Sequence, residues 1–144
     1  MKRWAYAAIL YALASAIPVS AFAQVSVGQV WTYKNASSDA ARVAIYKIER
    51  IADKEAVHVS IYNLPNNGMF SGEISHMPFE RKALESSLDR LTDETAPPNE
   101  NLEQGYRTWL LDNGGIFTIP VSDAVNYAVE MTLRALPFAD RHKQ

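Results

Sequence analysis

Ala56-Val57-His58-Val59-Ser60-Ile61-Tyr62-Asn63-Leu64-Pro65-Asn66-Asn67-Gly68 is the stretch on which the fold of this chain turns. From Ala56 the residues alternate apolar and polar, which predicts a strand with Val57, Val59 and Ile61 inward and His58, Ser60 and Tyr62 outward. Pro65 to Gly68 predicts a turn, because Asn and Gly tolerate positive φ. Before this strand, Arg42 to Ile51 is β-branched and aromatic, but its alternation slips. Val43 and Ile45 share one face while Tyr46 and Ile48 take the other, the pattern of a bulge or of burial on both faces. Asp53-Lys54 is the turn between the two. Further back, Gly28 to Lys34 predicts a first strand, with Val30, Thr32 and Lys34 on one face and Trp31 and Tyr33 on the other. Asn35 to Ala40 is a polar loop, and Met69 to Met77 supplies a fourth strand.

The period then changes. Ala83, Leu84, Leu88 and Leu91 fall at helical spacing after Pro78, which suits a first helical turn. Thr92 to Asn99, with Pro97-Pro98, reads as a linker. Leu102, Tyr106, Trp109 and Leu110 form the stripe of a second helix, which Asn113-Gly114-Gly115 ends. Ile116 to Ile119 predicts a short strand. Ser122 opens a last helix through Val125, Ala128, Val129, Thr132 and Leu136, and Pro137 stops it ahead of the basic Arg141-His142-Lys143. The expected fold class is α+β: an antiparallel meander of four to five strands, with about three helices packed on one face.

The first 23 of the 144 residues say where such a domain works. Lys2 and Arg3 precede an apolar run from Ala5 to Ile17, Pro18 breaks it, and Ala21-Phe22-Ala23 places small residues for a signal peptidase. The apolar run falls short of the roughly 20 residues that span a bilayer. The expectation is a cleaved secretory signal over 1–23 and a single globular domain over 24–144, periplasmic or secreted, with no membrane insertion after cleavage. The chain has no cysteine, so neither disulfides nor a lipid-bearing N-terminal cysteine are available. Lys2 and Arg3 leave with the signal, so twelve of the 14 basic residues remain against 16 acidic ones, a mature net charge of −4. That sign disfavours nucleic acid, whose phosphates require a basic surface.

Most catalytic signatures are absent: there is no G-x-S-x-G, no H-E-x-x-H and no phosphate-binding glycine loop. His58 and His76 lie on adjacent predicted strands at similar distances from the Pro65–Gly68 turn. With Glu73 or Glu80 they would make a metal site of two imidazoles and a carboxylate; the alternative is two polar residues on the outer sheet face. Ser60 with His58, or Ser75 with His76, lacks an orienting third residue. Glu85 to Glu103 carries Glu85, Asp89, Asp93, Glu94, Glu100 and Glu103 against Arg90 alone. Its prolines predict a carboxylate-rich loop projecting between two helices, where Asp93, Glu94, Glu100 and Glu103 would dock a basic partner or serve as a solvated face. Tyr62, outward on its strand, is a candidate ligand-stacking residue, whereas Trp109 and Tyr106 belong between helix and sheet.

Ser75-His76-Met77-Pro78-Phe79, Gly105-Tyr106-Arg107-Thr108-Trp109 and the run from Gly115 to Asp123 together resemble a family of small uncharacterised bacterial proteins. The resemblance implies no activity, cofactor or catalytic residue. The sequence therefore predicts binding rather than catalysis, without a cofactor, by a protein that inhibits or protects against a basic cell-envelope protein. The alternatives are metal binding through His58 and His76, or carriage of a small ligand on the aromatic sheet face.

Overall fold

In the computed structural model, which describes residues 24–135, the alternating stretch forms the centre of strand β3 (Lys54–Tyr62). Around it stand β1 (Val30–Tyr33), β2 (Arg42–Ile51), β4 (Ile74–Glu80), α1 (Arg81–Ser87), β5 (Leu88–Leu91), α2 (Leu102–Leu111) and α3 (Val121–Ala135). The strands form one antiparallel sheet in the order β4-β3-β2-β1-β5, so the architecture is α+β, with five strands and three helices. The expected signal segment 1–23, the helix end at Leu136-Pro137 and the basic 141–143 segment lie outside the described residues. Among the described residues no helix is long and apolar enough to cross a membrane.

The inner face of the sheet carries the core. Val57, Val59 and Ile61 are fully buried there with Val43, Ile45, Met77 and Phe79, each aliphatic side chain contributing about 1.5–3 kcal/mol by leaving water. Leu84 and Leu88 of the α1–β5 segment and Val121, Ala124 and Val125 of α3 close over them. The start of α3 is tied to α1 by Ser87, whose hydroxyl accepts the Val121 N–H (3.1 Å) and donates to the Ala83 carbonyl (2.8 Å).

Two irregularities decide which side chains meet on the outer face. In β2 the register shifts between Ile45, opposite Val59, and Lys47, opposite His58, leaving Tyr46 as the extra residue of a bulge. The bulge explains the slipped alternation: it returns Ile48 to the core side and turns Tyr46, Lys47 and Glu49 onto the face of His58. In β4 the register shifts between the Val59–Met77 and Ile61–Ile74 pairs, setting Ser75 and His76 against Ser60.

Four local expectations change. Two helices lie on the inner face, but α2 packs on the outer one, so the helices are not all on one side. His58 and Ser60 point outward as expected, yet each is only 1% exposed, because α2 and the segment before it cover that face. The first helix is also shorter than its periodicity predicts. At Leu88 the chain leaves the helix to pair with β1, with Leu88 opposite Tyr33 and Leu91 opposite Trp31. A seven-residue helix is marginal by itself, and the unpaired edge of β1 offers those backbone groups partners. The strand expected at Ile116–Ile119 reduces to Phe117, which bridges the free edge of β4 by accepting the Glu80 N–H and donating to the Pro78 carbonyl, both at 2.9 Å. Pro78 thus sits in an edge strand, where its missing N–H breaks no interior ladder.

Candidate functional site

The outer face of the sheet holds a polar cluster drawn from four elements, β2, β3, β4 and α2. His58 of β3 and His76 of β4 approach with Nδ1 of the first 2.9 Å from Nε2 of the second. Their ring centres are 5.1 Å apart and their planes differ by 15°. That separation is close to the longest a 2.9 Å nitrogen contact permits, so the two nitrogens lie on the line between the rings and share one proton in a straight N–H···N bond. Glu49 of β2 places Oε1 2.9 Å from His58 Nε2, but off the ring's N–H direction, so that nitrogen has a charge contact and no hydrogen-bond partner. The carboxylate favours the proton on Nε2. We therefore assign His58 Nδ1 as acceptor and His76 Nε2–H as donor.

The same carboxylate is held from the other side. The Tyr106 hydroxyl of α2 donates to Glu49 (3.0 Å), and the Lys47 ammonium donates to Tyr106 and pairs with Glu49 at 3.3 Å. Lys47 also lies 3.8 Å from the centre of the Tyr106 ring, a cation–π contact. Trp109, one turn later, meets His58 edge-on at 5.0 Å and donates its indole N–H to the Gly115 carbonyl. Two glycines make this packing possible. A Cβ on Gly105 would stand 2.7 Å from the His76 Cβ, and one on Gly114 would enter the Trp109 ring.

Burial pushes the His58 imidazole below its ordinary pKa, with Glu49 opposing, and pushes His76 down to about 4, with the neighbouring His58 adding to the effect. Burial pushes the Glu49 carboxyl up, but its bonds to Tyr106 and Lys47 outweigh this and hold it below its ordinary value. At neutral pH the cluster is thus an ionised Glu49–Lys47 pair beside two neutral imidazoles. The cavity it encloses with Leu102 and Glu103 measures about 80 Å³, room for a few waters and not for an organic substrate. Chemically, the two imidazoles can exchange the proton between His58 Nδ1 and His76 Nε2, while Glu49 acts on His58 through its charge. Mechanically, the cluster fastens α2 to the sheet.

The sequence-predicted metal site is not assembled. His58 Nδ1 and His76 Nε2 aim at each other rather than at a common third point. Glu80 sits 3.7 Å from Lys54, and Glu73 lines a different cavity. Among the described residues no three His, Asp or Glu side chains are arranged to hold a metal ion. Ser60 lies buried beside Tyr46, away from solvent.

The acidic segment does not project between two helices. It runs from β5 to α2 and is strapped across the outer face by side chains of the sheet. Arg42 pairs with Glu94 at 2.7 Å, the Tyr46 hydroxyl donates to the Pro97 carbonyl (2.6 Å), and Asn99 donates to the Ser75 carbonyl (2.8 Å). Of the four carboxylates expected to dock a partner, Glu94 is thus engaged internally and Glu103 pairs with Arg107 at 2.9 Å. Asp93 and Glu100 are exposed and have no ion pair among the described residues.

Where the strap meets the loop after β3, a cleft of about 410 Å³ opens, lined by Tyr46, Tyr62, Asn63, Glu73, Pro97 and Pro98 among others. Its far wall is a closed loop: the Leu64 N–H donates to the Gly72 carbonyl at 3.0 Å. Gly72 is required there, since its φ is +81° and a Cβ would lie 2.7 Å from the Leu64 oxygen. Tyr62, the ligand-stacking candidate from the sequence, is in this cleft. The sequence presents Glu73 as a metal candidate, Tyr46 as part of a slipped strand and the two prolines as a linker, and does not join them with Tyr62, because they converge only once the strap is laid down. The signal for Tyr46 was the slipped alternation of β2. Comparison with protein-family models, curated proteins and solved structures finds no match, for the blocks that carry the family resemblance or for any other part of the chain.

Proposed function

We propose that this chain is an exported, non-catalytic binding protein whose ligand occupies the cleft between the strap and the β3–β4 loop. The observation that carries the reading is the cleft itself. Its 410 Å³ is within the usual size of small-molecule sites, two tyrosines line it, and both of its walls are tied down by hydrogen bonds. The His58–His76 cluster supports a binding role by anchoring α2, which leaves no substrate-sized space beside the imidazoles. A larger depression of about 720 Å³ near β1 and β5 competes less well, because Lys34, Arg90, Asp39 and Asp89 line it together and give it no dominant charge.

A second reading, docking of a basic envelope protein, is favoured by the free carboxylates Asp93 and Glu100 at either end of the strap. A fragment library screened against the purified protein by amide chemical shifts separates the two. Hits that move Tyr62, Gly72 and Glu73 support the cleft. A library that leaves these amides still, combined with a basic protein that shifts Asp93 and Glu100, rejects it. Export is tested by intact mass of the protein recovered from the envelope, expected to begin at Gln24.

A further inference from the structure

We propose that the cleft recognises an organic ammonium group, paired with the Glu73 carboxylate between the side chains of Tyr46 and Tyr62; this rests on the cleft being the binding site. Glu73 lines the cleft, is exposed, and has no hydrogen bond or ion pair among the described residues. No lysine or arginine lines the cleft, and Arg42, which acts on Tyr62, is held by Glu94: its Nε meets that carboxylate, and its Nη1 donates to the carbonyls of Asp39 and Ala41. Both tyrosine protons are also spent, that of Tyr46 on the Pro97 carbonyl and that of Tyr62 on Glu94 (3.4 Å). What the cleft presents is therefore a free carboxylate, two aromatic side chains and no charged donor.

The two phenols stand within reach of carboxylates. Burial pushes the Tyr62 hydroxyl up to about 12, with Glu94 adding and Arg42 opposing, and burial raises Tyr46, with Ser60 opposing and Glu73 adding. Each ring thus sits beside a carboxylate. Because Arg42 compensates Glu94, the uncompensated charge of the cleft is that of Glu73, which repels an anionic ligand, whereas an ammonium group gains a charge-assisted hydrogen bond from Glu73 and attraction from the rings. A free amine and a lysine side chain of a protein share this chemistry.

The test uses four probes against the purified protein, read by the amide shifts of Tyr62, Gly72 and Glu73. Putrescine and a capped Gly-Lys-Gly peptide carry the ammonium, while 1,4-butanediol and succinate are a neutral and an anionic counterpart of putrescine. At least one ammonium probe should bind about tenfold more tightly than the diol, the scale of one charge-assisted bond, and succinate should not bind. Glu73→Gln, an exposed isosteric change checked by an unaltered amide spectrum elsewhere, should bring the ammonium probe to the level of the diol. Binding of putrescine alone assigns the site to small amines, and binding of the peptide extends it to basic proteins. Equal binding of diol and putrescine overturns the charge inference and leaves the cleft standing. Silence from all four probes while fragments still move the same amides overturns the ammonium alone. Silence from probes and fragments alike overturns both readings.

Discussion

The two faces of β3 are buried to the same degree by opposite means. On the inner face, Val57, Val59 and Ile61 are covered by apolar side chains of α1 and α3. On the outer face, His58 and Ser60 are covered by α2 and the strap, with hydrogen bonds and the Lys47–Glu49 ion pair standing where hydrocarbon stands on the other side. An apolar layer tolerates small shifts, because contact energy is non-directional. A buried polar layer is stabilising only while every partner is in place. The outer face should therefore be the more sensitive to single atoms and to pH.

The largest effects test whether both faces are sealed. Val59→Asp places an unpaired charge in the core and should cost on the order of 3 kcal/mol or more. Ser60→Asp should cost as much, although a solvent-facing serine would tolerate the change within about 0.5 kcal/mol. Chemical denaturation of both variants decides it. A Ser60→Asp protein as stable as the parent would mean that the strap does not close over β3.

Acid should loosen the outer face next. The folded pKa of His76, about 4, lies below its unfolded value of 6.5. The folded state therefore binds fewer protons than the unfolded state between these values. Its contribution is complete above pH 6.5 and is lost as pH falls through about 4, a total of roughly 2–3 kcal/mol. His58 moves in the same direction, and the lowered Glu49 adds a loss at still lower pH. Stability measured from pH 7 to 4 should fall, and the fall should flatten in His76→Phe, which cannot take up a proton. A parallel decline in that variant would place the acid sensitivity elsewhere.

A smaller effect isolates the fit of α2. Gly105→Ala should gain up to about 1 kcal/mol of helix propensity, but its Cβ meets the His76 Cβ at 2.7 Å. The expected net result is a loss of about 1 kcal/mol, since two backbone-anchored atoms cannot both yield. Combining it with His76→Gly, which removes the opposing Cβ, should relieve the clash and recover the helix gain, a coupling that a double-mutant cycle measures directly. The smallest effect belongs to the free carboxylates. Asp93→Lys with Glu100→Lys should change the melting free energy by less than about 0.5 kcal/mol, because solvated charges contribute little to folding.

Much of the inner half of the molecule was legible in the chain. Residues 56–62 announce a strand by alternation, Asn113 ends α2 at a positive φ of 47°, and the α3 stripe from Val125 to Val129 packs on the core. These features depend on neighbours within a few residues, which periodicity and turn chemistry report. The broken alternation of β2 announced an irregularity and left open whether it was a bulge. By spacing Leu88 and Leu91 belong to a helix, and only the open edge of β1 drew them into a strand, where they face opposite sides, Leu88 buried and Leu91 exposed.

The pairing of His58 with His76 was within reach of sequence counting; its meaning was not. Whether two imidazoles on one sheet face share a metal, a proton or only solvent depends on the direction of their nitrogens and on what covers them. Those are set by Glu49, brought round by a one-residue bulge, and by Tyr106, delivered by a helix about 30 residues further along the chain. The sequence by itself determined the antiparallel meander and its apolar face, because local patterns of side chains dictate them. Only the tertiary structure decided that the polar face is buried and where the cleft opens, because the strap that does both is held by contacts such as Arg42–Glu94, Tyr46–Pro97 and Asn99–Ser75, between residues far apart in the chain.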